Sequence, residues 1–164
     1  MGTDVPRRRH AAVLAAAALL ALALMVAAPQ ASAESPLYTA TNDTWKTECG
    51  SCHIAYPPGL LPQRSWRAVM SGLEKHFGTD ASLDPATAAE VTAFLEKNAG
   101  RDRSPRDSAP SLRVTDTQWF RHEHDEVPET VWKNPTVKTA ANCIACHTRA
   151  DVGDFSEQSI RMPQ

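Results

Sequence analysis

Two copies of one five-residue pattern constrain this chain more than any other feature. Cys49-Gly50-Ser51-Cys52-His53 and Cys143-Ile144-Ala145-Cys146-His147 contain all four cysteines, and a histidine follows each pair directly. Two disulfides are the simplest use of four cysteines, a zinc site made of two Cys pairs is the next, and a redox-active disulfide the third. None of these requires the histidines. Covalent attachment of haem does. Two thiols that add to the two vinyl groups must sit about a turn apart on one edge of the porphyrin. The next residue is then delivered beneath the iron, where its imidazole becomes the fifth ligand. The pattern predicts two covalently attached haem c groups, held by Cys49, Cys52, Cys143 and Cys146, with His53 and His147 as proximal iron ligands.

The N-terminus agrees with that chemistry. Arg7, Arg8 and Arg9 precede eighteen consecutive uncharged residues, Ala11 to Ala28, all Ala, Leu, Val or Met; Pro29 breaks the run and Ala31-Ser32-Ala33 offers a small-residue cleavage pattern. Residues 1–33 are expected to be a cleaved signal peptide, cut before Glu34. The competing reading is an uncleaved anchor, because eighteen apolar residues reach the lower limit for a bilayer span. Cleavage leaves a soluble periplasmic protein with no stable membrane insertion. The remaining 131 of 164 residues hold 14 basic and 18 acidic side chains, a net charge of −4, with only 21 Leu, Ile, Val or Phe. That charge gives no footprint for nucleic acid. The apolar content, 16%, is too thin for a self-sufficient core. Two porphyrins would supply the missing interior.

The histidines and methionines that remain are the candidate sixth ligands: His76, His122, His124, Met70 and Met162. The stretch from Ser65 to Gly78 reads as one amphipathic helix, with Ser65 as cap, Gly78 as stop, and Trp66, Val69, Met70, Leu73 and Phe77 as its buried stripe. His76 falls at the edge of that stripe and is the expected sixth ligand of the first iron, with Met70 as its competitor. In the second half, Thr115 or Asp116 could cap a short helix carrying both His122 and His124. His124 is four residues after Phe120 and His122 three after Trp119, so periodicity does not choose between them.

A helix is expected over 43–52, capped by Asp43, with Trp45 inward. Tyr56 to Pro62 is too proline-rich for a helix and reads as a loop over one haem face. Asp84 and Pro85 form an N-cap and N1 pair opening a helix that ends near Gly100. Residues 101–113 are charged and rich in Pro and Ser, a linker whose arginines form a solvated surface or pair with haem propionates or an acidic partner. The expected fold is mostly α. A class I cytochrome c-like domain occupies 34–100, and a small haem-wrapping segment occupies 114–164. The first half runs from motif to ligand, the second from ligand to motif, which argues against tandem duplication.

Several of these stretches together resemble a known family, the small exported dihaem cytochromes c of proteobacteria (DHC). They are the two haem motifs, Tyr56-Pro57-Pro58-Gly59-Leu60-Leu61-Pro62, the run from Trp66 to His76-Phe77-Gly78, Trp119-Phe120 with His124 and Glu126, and Gly153 with Phe155. The resemblance implies irons with two histidine ligands each, and its pattern lands on His124. It implies electron transfer rather than enzymatic catalysis, with a membrane cytochrome b and an oxygen-binding monohaem cytochrome as partners. Two protein ligands per iron leave no position for a substrate, and histidine in place of methionine lowers the potential. The competing functions are a small electron-transfer subunit of a periplasmic reductase, and a haem enzyme or gas sensor with one open iron.

Overall fold

The computed structural model describes residues 40–163 except 104, 106 and 107; the signal peptide expected over 1–33 lies outside them. Among the described residues five helices carry the fold. They are α1 (Asp43–Gly50), α2 (Gln63–Met70), α3 (Pro85–Lys97), α4 (Gln118–Glu123) and α5 (Glu129–Trp132), joined by loops and short 3-10 turns. The described residues contain isolated bridges but no strand, and no helix among them is long and apolar enough to cross a membrane.

Helix α1 begins at Asp43 and ends at Gly50, two residues short of the expected 43–52. Asn42, not Asp43, is its cap, accepting a hydrogen bond from the Trp45 N–H at 2.7 Å. Trp45 then faces inward, 5.2 Å from the ring of Phe94 on α3. Asp84 and Pro85 open α3 as expected: the carboxylate accepts from the N–H groups of Ala86 and Thr87. Val91 and Leu95 of α3 are fully covered. Arg67 of α2 pairs with Glu96 of α3 at 2.5 Å on the surface above them.

The expected helix through His76 is not continuous. Pro62 rather than Ser65 precedes the first turn, since proline needs no partner for a missing N–H there. Ser65 is therefore inside α2 and fully buried. The helix ends at Met70, a 3-10 turn covers Leu73–Lys75, and Phe77 and Gly78 take positive φ angles of 50° and 97°. Phe77 accordingly leaves the predicted stripe and is 46% exposed.

Helix α4 is capped by Thr117, whose hydroxyl accepts from the Phe120 N–H at 3.1 Å, rather than by Thr115 or Asp116. Those two lie in a preceding 3-10 turn, Val114–Asp116. Val114 and Phe120 join Trp45, Leu61, Trp66, Val91 and Leu95 in one apolar cluster, so both halves share a single core. Asp102 and Ser108, between them in sequence, are tied to α2. Arg64 of α2 donates to the Ser108 carbonyl at 2.6 Å and pairs with Asp102 at 2.6 Å.

The tightest backbone approach is between Gly100 and the proline-rich loop. Gly100 donates its N–H to the Leu61 carbonyl at 2.9 Å, and a Cβ at this position would overlap the Gly59 carbonyl oxygen. That oxygen belongs to the backbone and cannot swing aside. Gly100→Ala is expected to cost about 1–3 kcal/mol, the range for overpacking. Thermal unfolding of the two proteins should show Tm lower by several degrees in the variant.

Candidate haem-binding sites

The first site is a cavity of about 510 Å³ bounded by α1, α2 and the residues that follow α2, within the size range of cofactor pockets. Trp45, Trp66 and Met70 contribute to its apolar wall; Cys49 and Cys52 lie along it, and His53 and His76 both face it. Helix α1 ends at Gly50, so Cys49 is held in its last turn while Cys52 and His53 continue beyond it. His76 is delivered by the 3-10 turn, its N–H bonded to the Leu73 carbonyl at 3.2 Å. The two imidazole centres are 6.2 Å apart with their planes inclined by 27°. An imidazole nitrogen sits about 2.0 Å from a bound first-row metal and about 1.1 Å from its own ring centre. Two imidazoles on opposite sides of one ion therefore have centres about 6 Å apart. The observed spacing fits an iron between them.

Both rings are prepared for that role. His53 Nδ1 lies 2.6 Å from the Ile54 carbonyl oxygen. A carbonyl only accepts, so Nδ1 carries the proton and Nε2 keeps its lone pair. Burial, then the neighbouring His53 and the Arg113 charge, hold the His76 pKa below its ordinary value. His76 is thereby kept neutral, the form that binds metal.

The second site repeats the geometry with different parts. His124 follows the last residue of α4, and its Nδ1 donates back to the Phe120 carbonyl one turn earlier at 2.8 Å. Phe120 also lies flat against the His124 ring, centres 4.1 Å apart and planes within 23°. Across from it stands His147, 6.1 Å away, with the two planes at 74°. Burial, then His124, lowers the His147 pKa. Phe155 lies 5.3 Å from the His147 ring and Trp132 6.0 Å from the His124 ring. His122 takes no part: its side chain is 79% exposed and its Nδ1 is 3.7 Å from the Asp125 carboxylate. Met70 does line the first cavity, but Met162 is exposed at 41%.

The other uses of four cysteines do not match. All four thiols are unpaired. Burial, and then the Glu48 charge, pushes Cys49 up to about 11, and burial likewise raises Cys143 and Cys146. A redox-active cysteine needs the opposite shift, toward thiolate. Among the described residues no three His, Cys, Asp or Glu side chains gather into a metal site of their own.

The family model described as dihaem cytochrome c matches residues 45–155. The chain belongs to the dihaem cytochrome c family. Solved structures agree. A diheme cytochrome c from Rhodobacter sphaeroides shares 41% identity, covering 70% of this chain and 97% of its own, with a TM-score of 0.63. A diheme cytochrome type c from Shewanella baltica shares 37%, covering 74% and 93%, with a TM-score of 0.65. No match was found among curated proteins. As a dihaem cytochrome c, the chain carries two haem c groups, and its two Cys pairs fit their covalent attachment.

Two contacts around these sites had no local sequence signal. The Tyr56 hydroxyl donates to the Ala141 carbonyl at 2.8 Å, while its ring lies 4.8 Å from that of His53, so it ties the first motif to the approach of the second. Arg113 sits 3.8 Å over the Phe77 ring at the rim of the first cavity. The sequence offered Arg113 only as one arginine among several in a linker.

Proposed function

We propose that this dihaem cytochrome is a periplasmic, low-potential electron carrier whose two irons are each closed by two histidines, His53 with His76 and His147 with His124. The observation that carries the reading is the facing of the four rings in two pairs, 6.2 Å and 6.1 Å apart. When bound, the haem irons supply the one-electron change. The chain's residues hold His76 and His147 neutral, aim the nitrogens and line one apolar cavity. Were each iron held by two of these histidines, no position would remain for a substrate, which favours outer-sphere electron transfer over enzymatic turnover. The arginine-led apolar run and the small-residue pattern of residues 1–33 support export.

The resemblance to the DHC family supports a membrane cytochrome b as electron source and an oxygen-binding monohaem cytochrome as recipient. A potentiometric titration of the holoprotein tests the carrier role. Two one-electron waves are expected, both well below the potentials of His/Met cytochromes c. A high-potential wave accompanied by a methionine–iron charge-transfer band would replace His76 with Met70 as ligand and overturn the reading.

A further inference from the structure

The two sites differ in one respect that ligand spacing does not reveal. At the first, the His53 and His76 planes are inclined by 27°; at the second, the His124 and His147 planes are inclined by 74°. Each ring donates π density to the iron d orbital perpendicular to its own plane. Near-parallel rings act on the same orbital, raise it, and stabilise the electron hole of the oxidised iron. Near-perpendicular rings act on two different orbitals, leave them close in energy, and stabilise the oxidised iron less.

The His124 side of the 74° angle is set by the chain. Phe120 stacks on His124 from one side, and the carbonyl of the same residue accepts the His124 Nδ1–H. Phe120 thus restrains the ring through both its own ring and its carbonyl, with Trp132 packed nearby. Phe120 is itself anchored in the core, 9% exposed, and its N–H is held by the Thr117 cap. His147 adds to the effect. Its Nδ1 is buried with no hydrogen-bond partner among the described residues, so the ring lacks the acceptor that would make it a stronger donor to oxidised iron. Arg113 acts the other way, since a cation near the first site favours its reduced state. It is exposed, however, and solvent and salt screen it.

We propose that Phe120 is a positioning residue that makes the His124–His147 site the higher-potential of the two, so that electrons run downhill from the N-terminal site to the C-terminal one. The step is a one-electron exchange: the iron between His53 and His76 is oxidised as the iron between His124 and His147 is reduced, with no atom or proton transferred. The reductant that loads the first site is an external one-electron donor. The inference rests on the two-histidine reading above.

An EPR-monitored redox titration of the frozen holoprotein tests it. The oxidised protein should give two low-spin signals, a rhombic one from the near-parallel pair and a strongly anisotropic one from the near-perpendicular pair. As the potential is lowered, the anisotropic signal should disappear first. His124→Ala should abolish that signal and spare the rhombic one. Phe120→Leu should convert it toward the rhombic type and move its midpoint down toward the other wave. Two rhombic signals, loss of the rhombic signal first, or an anisotropic signal unmoved by Phe120→Leu would overturn the proposal. If Phe120→Leu does not assemble, the order of loss in the unaltered protein decides. A high-spin signal in the unaltered protein contradicts the two-histidine reading itself and is distinct from all of these.

Discussion

Replacing Cys49, Cys52, Cys143 and Cys146 together by serine is expected to leave a chain that does not reach its native fold at 25 °C. Among the described residues the buried apolar set is small: two Trp, two Leu, three Val, one Phe and one Ala. Against it stands a first cavity of about 510 Å³. Without the cofactor that space opens to water and leaves its apolar lining of Trp45, Trp66, Met70 and Leu95 uncovered, in a chain whose remaining core is small. The helices cannot close the gap by moving together, because Trp45, Trp66 and Leu95 face it from three of them and already touch the shared core. Far-UV circular dichroism of the four-serine variant should show loss of most helical signal, with rapid proteolysis. A native-like spectrum would mean that the side chains fill the interior without the cofactor.

The second large effect concerns the ligands. His76→Ala and His124→Ala should each open one iron, giving a high-spin ferric signal and prompt carbon monoxide binding after reduction at about one site per chain. His122→Ala should do neither, and should change stability by no more than about 0.5 kcal/mol, as for an exposed residue outside any network. Met70→Leu, which conserves volume in the cavity wall, should leave both low-spin signals in place. High-spin iron in Met70→Leu with low-spin iron in His76→Ala would exchange the two assignments.

The attachment chemistry was legible in the sequence because it is local: five consecutive residues carry both thioether positions and the proximal histidine. Asp84 and Pro85 were legible for the same reason, a cap and its neighbour being adjacent. Errors arose where a periodic pattern outran its helix. Trp66, Val69, Met70 and Leu73 suggested one stripe continuing to Phe77, but the chain leaves the α-helix at Met70 and turns through positive φ at Phe77 and Gly78. His76 still faces the cavity, through a 3-10 turn rather than through the helical wheel that nominated it. Between His122 and His124 periodicity was neutral. Phe120 stacking and a carbonyl one turn back are local contacts of His124, but the ring it faces, His147, is brought there only by tertiary placement. The bond from Tyr56 to Ala141 spans 85 residues, and no local pattern encodes such a contact.

Irons closed by histidine, as proposed here, would carry electrons and bind nothing at the metal. The most direct measurement is carbon monoxide addition to the fully reduced, unaltered holoprotein, followed in the visible spectrum, with EPR of the oxidised protein alongside. Two-histidine irons should give no carbon monoxide complex at either haem and only low-spin ferric signals. Prompt binding at one haem, matched by a high-spin signal of one iron per chain, would contradict it and identify an open site.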